Sequence, residues 1–183
     1  FEDSNELTYL SLKKQEELYP SISKLIPFNH YCRKNIGYLH AIHSNYEFIF
    51  DTDDDNIPYD SIENLFKLNN YNFEIYNSKE NEAINVYKHF TDKHIWPRGL
   101  PLEFIDRYDS NLIEKFPNEH SFDEVPIIQF LADKDPDVDA IYRLQFKEDI
   151  TFKKKNSLIA LGSNAYCPFN SQATLFHKSI FNC

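Results

Sequence analysis

The chain has 183 residues, 42% of them hydrophobic and 16% aromatic, with a formal net charge of −10. This length and composition suit one folded domain with a substantial core and exclude a disordered tail. The acidic balance excludes a non-specific nucleic-acid binder, because neutralising phosphates needs clustered Lys and Arg. The basic run Lys153-Lys154-Lys155 is short and reads as a solvated turn or strand edge.

In chain order, LTYLSL at 7–12 reads as a short strand. Asn29 can cap a helix running to about Asn45, with Tyr31, Ile36, Leu39 and Ile42 at helical spacing. The apolar run YEFIF at 46–50 then predicts a buried strand, and DTDDDNIP follows it directly. Residues 60–70 predict a short helix, and 71–77 (YNFEIYN) an alternating strand. IWPRGLPLEF at 95–104 is a loop stiffened by proline. VPIIQFL at 125–131 predicts another buried strand, after which Asp135 and Pro136 read as N-cap and first residue of a helix. LIALG and CPFNSQATLFH close the chain. Helix and strand alternate, which predicts an α/β fold with helices on the faces of a mixed or parallel sheet.

The three glycines, Gly37, Gly99 and Gly162, make no Gly-rich phosphate loop, so P-loop and Rossmann fingerprints are absent. Cys32, Cys167 and Cys183 form no CxxC pair and no zinc spacing; the odd count suits a reducing compartment and leaves one bridge open, and the expected location is the cytoplasm or that of a soluble catalytic domain. No Asn opens an N-x-Ser/Thr acceptor, and no apolar run is long enough to span a membrane. The chain begins at Phe1 and contains no Met, which predicts a fragment of a longer polypeptide.

The chemistry concentrates in Asp51, Asp53, Asp54 and Asp55, four carboxylates at the end of an apolar strand. In α/β sheets, ligands bind outside the carboxyl ends of the strands. An EF-hand fails here, because Asn56 stands where Gly is needed, Ile62 where Glu is needed, and a strand precedes the loop. A haloacid-dehalogenase-type phosphatase would use Asp51 as nucleophile and Asp53 as acid/base. A metal loop would use Asp53 and Asp55 as oxygen ligands for Mn²⁺ or Mg²⁺ with Asp54 facing a ribose. A solvated acidic turn, or a non-catalytic acidic metal-binding domain, is the plain alternative. Four mutually repelling carboxylates beside a buried strand favour a bound cation over that alternative.

Five segments in order, YCRKNIGYLHAI, FIFDTDDDNIP, WPRGLPLE, DPDVDAIYRL and FNSQATLF, together resemble the STELLO-type glycosyltransferases. They are also similar to a related domain of chlorella-virus glycosyltransferases and, more distantly, to UDP-arabinopyranose mutases. The resemblance covers about residues 7–181. It implies a GT-A fold with a mainly parallel sheet, a nucleoside-diphosphate-sugar donor of the UDP class, a glycan or other hydroxyl acceptor, and Mn²⁺ or Mg²⁺. GT-A domains normally open with a strand that holds the base, so the resemblance implies either that such a strand precedes Phe1 or that base binding is built differently here.

The resemblance also suggests roles. Arg33 and Asn35 occupy the R-K-N-x-G positions, where Arg33 would meet the diphosphate or brace the aspartates. Gly37, in mid-helix, would allow close packing on the sheet or nucleotide. Arg98 would lie near the donor phosphates and Trp96 against a sugar face, although a lone tryptophan is commonly core. Asp137, then Asp133, are the candidates to take the acceptor proton, while other aspartates of 133–139 cap the helix. His177 would complete the metal shell, or be structural. Asn170, Ser171 and Gln172 would hydrogen-bond donor or acceptor.

Overall fold

The computed structural model describes residues 7–59, 73–77, 82–106, 113–115, 124–153, 158–162 and 164–181. The helix expected at 60–70 and the start of the strand expected at 71–77 lie outside them. Two compact units are present: Phe1–Ile49 with Lys178–Cys183, and Phe50–His177.

In the first unit the expected strand at 7–12 is instead irregular chain leading into helix α1, Leu12–Leu18. Ser11 caps it by accepting a hydrogen bond from the Lys14 amide at 3.2 Å. The run LKKQEEL is built from strong helix formers, and its propensity outweighs the short apolar stretch before it. Pro20 opens α2, Pro20–Leu25, at the position proline tolerates best. The helix expected over 29–45 is a 3₁₀ turn, Tyr31–Lys34, followed by α3, Asn35–His43. The cap is His30, whose ring accepts from the Cys32 amide, while Asn29 takes a left-handed φ of 51°. Of the apolar positions expected on the helix, Ile36 is fully buried and Tyr31 is exposed.

Arg33 ties this unit together. Its Nε and Nη2 donate to Gln15 Oε1 at 3.0 and 2.6 Å, and Nη2 also reaches Ser23 Oγ at 3.0 Å. Nη1 donates to the Ile26 carbonyl at 2.9 Å, and the guanidinium lies over the Phe28 ring at 5.3 Å. The guanidinium fork therefore joins α1, α2 and the turn after them. A Cβ added at Gly37 would meet nothing within 4 Å. No close packing explains that glycine, so Gly37→Ala is expected to raise stability by about 1 kcal/mol in chemical denaturation.

The second unit carries the sheets. β1, Phe48–Thr52, begins in the first unit and lies at the edge of a three-stranded sheet ordered β1-β8-β5. There β5, Ile127–Gln129, runs antiparallel to β8, Ala173–His177, with Ile128 opposite Leu175. In a second sheet β2, Phe73–Tyr76, lies between β4, Ile113–Lys115, which is antiparallel, and β6, Leu158–Leu161, which is parallel. β3, Glu82–Ala83, pairs in parallel with β7, Ala165–Tyr166. The fold is thus mixed α/β, but the mainly parallel sheet expected from the sequence is not what the described strands build. Apolar runs announce strands; the direction of pairing is fixed by non-local partners.

The main core of this unit packs Tyr87 of α4, Tyr87–Phe90, with Ile95, Trp96, Leu100, Val138, Tyr142, Ile150 and Phe152. The helix start expected at Asp135 is displaced. Asp139 is the N-cap of α5, Ala140–Gln145, and its Oδ1 accepts from the Ile141 amide at 2.8 Å. Residues 136–138 are used otherwise: Val138 forms an antiparallel bridge with Pro97, and the Arg98 amide donates to the Asp137 carbonyl at 3.1 Å. That tertiary pairing holds the segment extended and delays the helix.

Candidate functional site

The acidic loop leaves β1 at Thr52 and turns through Asp54 and Asp55. Asn56 closes the turn, its amide donating to the Asp53 carbonyl at 3.3 Å and its side chain to the Gln172 carbonyl at 2.8 Å. The same Gln172 carbonyl receives the Asp53 amide at 3.1 Å. One carbonyl beside β8 thus fixes the backbone of the loop. Asparagine suits this job because its short side chain reaches neighbouring backbone groups. Asp53, Asp54 and Asp55 are exposed, and among the described residues no cation or hydrogen-bond donor engages their carboxylates.

The second acidic segment behaves oppositely, since each of its carboxylates is already committed. Asp133 accepts from the Phe152 amide and from the Tyr59 hydroxyl, both at 2.8 Å. The hydrogen bond to Asp133 raises the Tyr59 pKa above its usual value, with desolvation and the carboxylate charge adding to it. Asp135 pairs with Arg143, and Asp139 caps α5. Asp137 meets Arg98 through both oxygens, Nε to Oδ1 and Nη2 to Oδ2, each at 3.1 Å. Both oxygens of Asp133 and both oxygens of Asp137 therefore already have a partner in this arrangement.

The two acidic segments meet. Tyr59 bridges from the end of the acidic loop to Asp133, and Gln172 Nε2 donates to the Asp135 carbonyl at 3.3 Å. Hydrogen bonds thus run from Asp53 through Gln172 to Asp135 and from Tyr59 to Asp133, joining the loop that carries Asp54 and Asp55 to the segment whose Asp137 holds Arg98. Asn170 supports it: its carbonyl accepts from Gln129 Nε2 and Thr174 Oγ1, and its Oδ1 from the Gln172 amide. Asn56 and Tyr59 were not among the residues expected from the sequence. Their signal was present in DNIPY, where Asn and Pro mark a turn that must be pinned.

Four expected residues stand elsewhere. Trp96 is only 5% exposed and meets Tyr142 edge-on at 5.5 Å, so its ring is core and offers no open face to a sugar. His177 is buried at the far end of β8 from Gln172, about 16 Å along the strand. It is not brought to the acidic loop, because a five-residue strand separates them. Arg33 is saturated by its own unit, as described above, and Asn35 sits exposed at the start of α3.

Among the described residues, no three His, Cys, Asp or Glu side chains cluster so as to hold a metal ion unaided. Exposed carboxylates still fit Mg²⁺ and Mn²⁺, since Mg²⁺ is commonly held by one or two carboxylates together with substrate phosphates and water. No described helix is long and apolar enough to cross a membrane.

Beside this neighbourhood lies a cavity of about 690 Å³, lined by apolar side chains including Phe130, Ile159 and Phe169, with Cys167 on its wall. Burial pushes the Cys167 thiol up from 9.0 to about 11. At pH 8 its thiolate is about a hundredfold scarcer than that of an ordinary cysteine, so alkylation of the folded protein by iodoacetamide is expected to be slower in proportion and to recover on unfolding. Peptide mapping after timed alkylation reads this directly.

No family model matches the chain. Among curated proteins it is 32% identical over 188 residues to the probable glycosyltransferase STELLO2 of Arabidopsis thaliana, and 32% identical over 189 residues to STELLO1 of the same plant. Each match covers 94% of this chain and 24% of the relative, so the chain spans about a quarter of the length of these proteins.

Proposed function

Because this chain is STELLO-like over nearly its whole length, we propose that it is a GT-A-type glycosyltransferase domain. It takes a sugar from a nucleoside-diphosphate donor of the UDP class to a hydroxyl acceptor such as a glycan. Asp53 and Asp55 hold a divalent cation, Mn²⁺ or Mg²⁺, with Asp54 left to the ribose. Arg98 meets the donor phosphates.

The observation that carries this reading is the contrast between the two acidic segments. The carboxylates of Asp133, Asp135, Asp137 and Asp139 each have a partner, whereas those of Asp53, Asp54 and Asp55 have none among the described residues. An acidic turn needed only for solubility would gain nothing from a backbone fixed by Asn56 and Gln172. A fixed loop that presents bare carboxylates is organised for a cation. When bound, that cation supplies positive charge against the leaving diphosphate, where most charge develops in the transition state. The protein's own residues fix the loop, and Arg98 adds a planar donor set suited to phosphate oxygens.

The test is release of UDP from a panel of UDP-sugars with Mn²⁺ or with chelator. Cation-dependent release from one or a few sugars supports the proposal. Release of phosphate from simple monoesters, lost in Asp51→Asn, would replace it with a phosphatase.

A further inference from the structure

The Arg98–Asp137 pair has an asymmetry that a simple ion pair does not need. The Asp137 side chain is 18% exposed, whereas that of Arg98 is 69% exposed. The carboxylate engages the guanidinium side-on, through Nε and Nη2. A guanidinium has five N–H donors in a fixed plane, so three remain, two of them on Nη1. No other described residue takes them. Both partners follow a proline, Pro97 and Pro136, and their backbones are bridged at Pro97–Val138 and from the Arg98 amide to the Asp137 carbonyl. Gln172 links the same turn, at Asp135, to the acidic loop.

We propose that Asp137 is a positioning residue: it holds Arg98 side-on so that the outer edge of the guanidinium is preset for an anionic ligand, the donor diphosphate. This rests on the donor reading above, and it gives Asp137 a role other than proton acceptor. An unsupported exposed arginine would lose rotamer freedom on meeting a phosphate. One already oriented by a carboxylate and two proline-stiffened backbones loses less, which is how preorganisation raises affinity. A carboxylate with both oxygens on a guanidinium is a good anchor for it.

The test is calorimetric titration of UDP and of inorganic pyrophosphate, each with Mn²⁺, into wild type, Asp137→Asn, Arg98→Ala and the double variant, with pH–rate profiles for the active proteins. Asp137→Asn is expected to weaken both ligands about tenfold, and the double variant to be no weaker than Arg98→Ala. Asp137→Glu should recover part of the loss, and the acidic limb of the pH profile should survive in Asp137→Asn. Wild-type affinity in Asp137→Asn with collapsed turnover and a lost acidic limb would make Asp137 the base and overturn the proposal. If Asp137→Asn does not fold, Arg98→Ala decides, and unchanged affinity in it overturns the proposal. If the wild type itself binds neither ligand, the donor reading falls, and with it the preset anion site.

Discussion

Replacing Asp53 and Asp55 together by alanine is expected to abolish cation-dependent UDP binding, weakening it by about a hundredfold or more, while leaving the fold intact. Both effects follow from one arrangement. The backbone of the loop is held by Asn56 and by the Gln172 carbonyl, and neither carboxylate has a partner among the described residues. Removing exposed, unpartnered side chains changes stability by about 0.5 kcal/mol or less, and relief of like-charge repulsion acts in the favourable direction. Thermal unfolding midpoints of wild type and variant should therefore agree closely. The contrasting control is Asn56→Ala, which keeps all the carboxylates and removes the side-chain tie to Gln172. It should weaken binding through loss of loop geometry, less severely than loss of the ligands themselves.

Trp96→Ala is expected to cost about 3–5 kcal/mol of stability, the range for emptying a large aromatic from a packed core. Trp96 sits with Tyr87, Ile95, Leu100, Val138, Tyr142, Ile150 and Phe152, and its ring meets Tyr142 at 82°. Its Nε1 is buried without a hydrogen-bond partner among the described residues. Trp96→Phe keeps most of the apolar surface and removes that unsatisfied donor, so it should cost clearly less than the alanine variant. Ligand affinity per folded molecule should be unchanged in Trp96→Phe, because the ring faces the core. A large loss of UDP affinity in Trp96→Phe with normal unfolding would return Trp96 to the binding surface. Denaturant titration paired with calorimetry separates the two.

What the sequence disclosed depended on how local each feature is. The apolar run ending at Phe50, the acidic turn after it and the strand in LIALG are written in consecutive residues, and they stand in the structure at β1, the 53–55 loop and β6. The STELLO likeness was legible in five ordered segments and is matched by 32% identity across the chain. Features decided by distant partners were not legible. Asp135-Pro136 has the local grammar of a helix start, yet the bridge to Pro97 keeps it extended and passes the cap to Asp139. Likewise, nothing near Trp96 in sequence distinguishes a core ring from a stacking platform; Tyr142 and Val138, some forty residues away, make that decision. His177 has the right chemistry for a metal shell, but β8 carries it away from the loop. At Asp137 a sequence shows the carboxylate and hides the guanidinium lying across it.

The most direct test of the account is calorimetric titration of UDP into the wild-type protein with Mn²⁺ and again with chelator. Saturable binding with Mn²⁺ that vanishes with chelator is the predicted result, and it would justify screening sugars for turnover. Binding equally strong in chelator would remove the cation from the acidic loop, and absence of binding by folded protein with Mn²⁺ would contradict the transferase account as a whole.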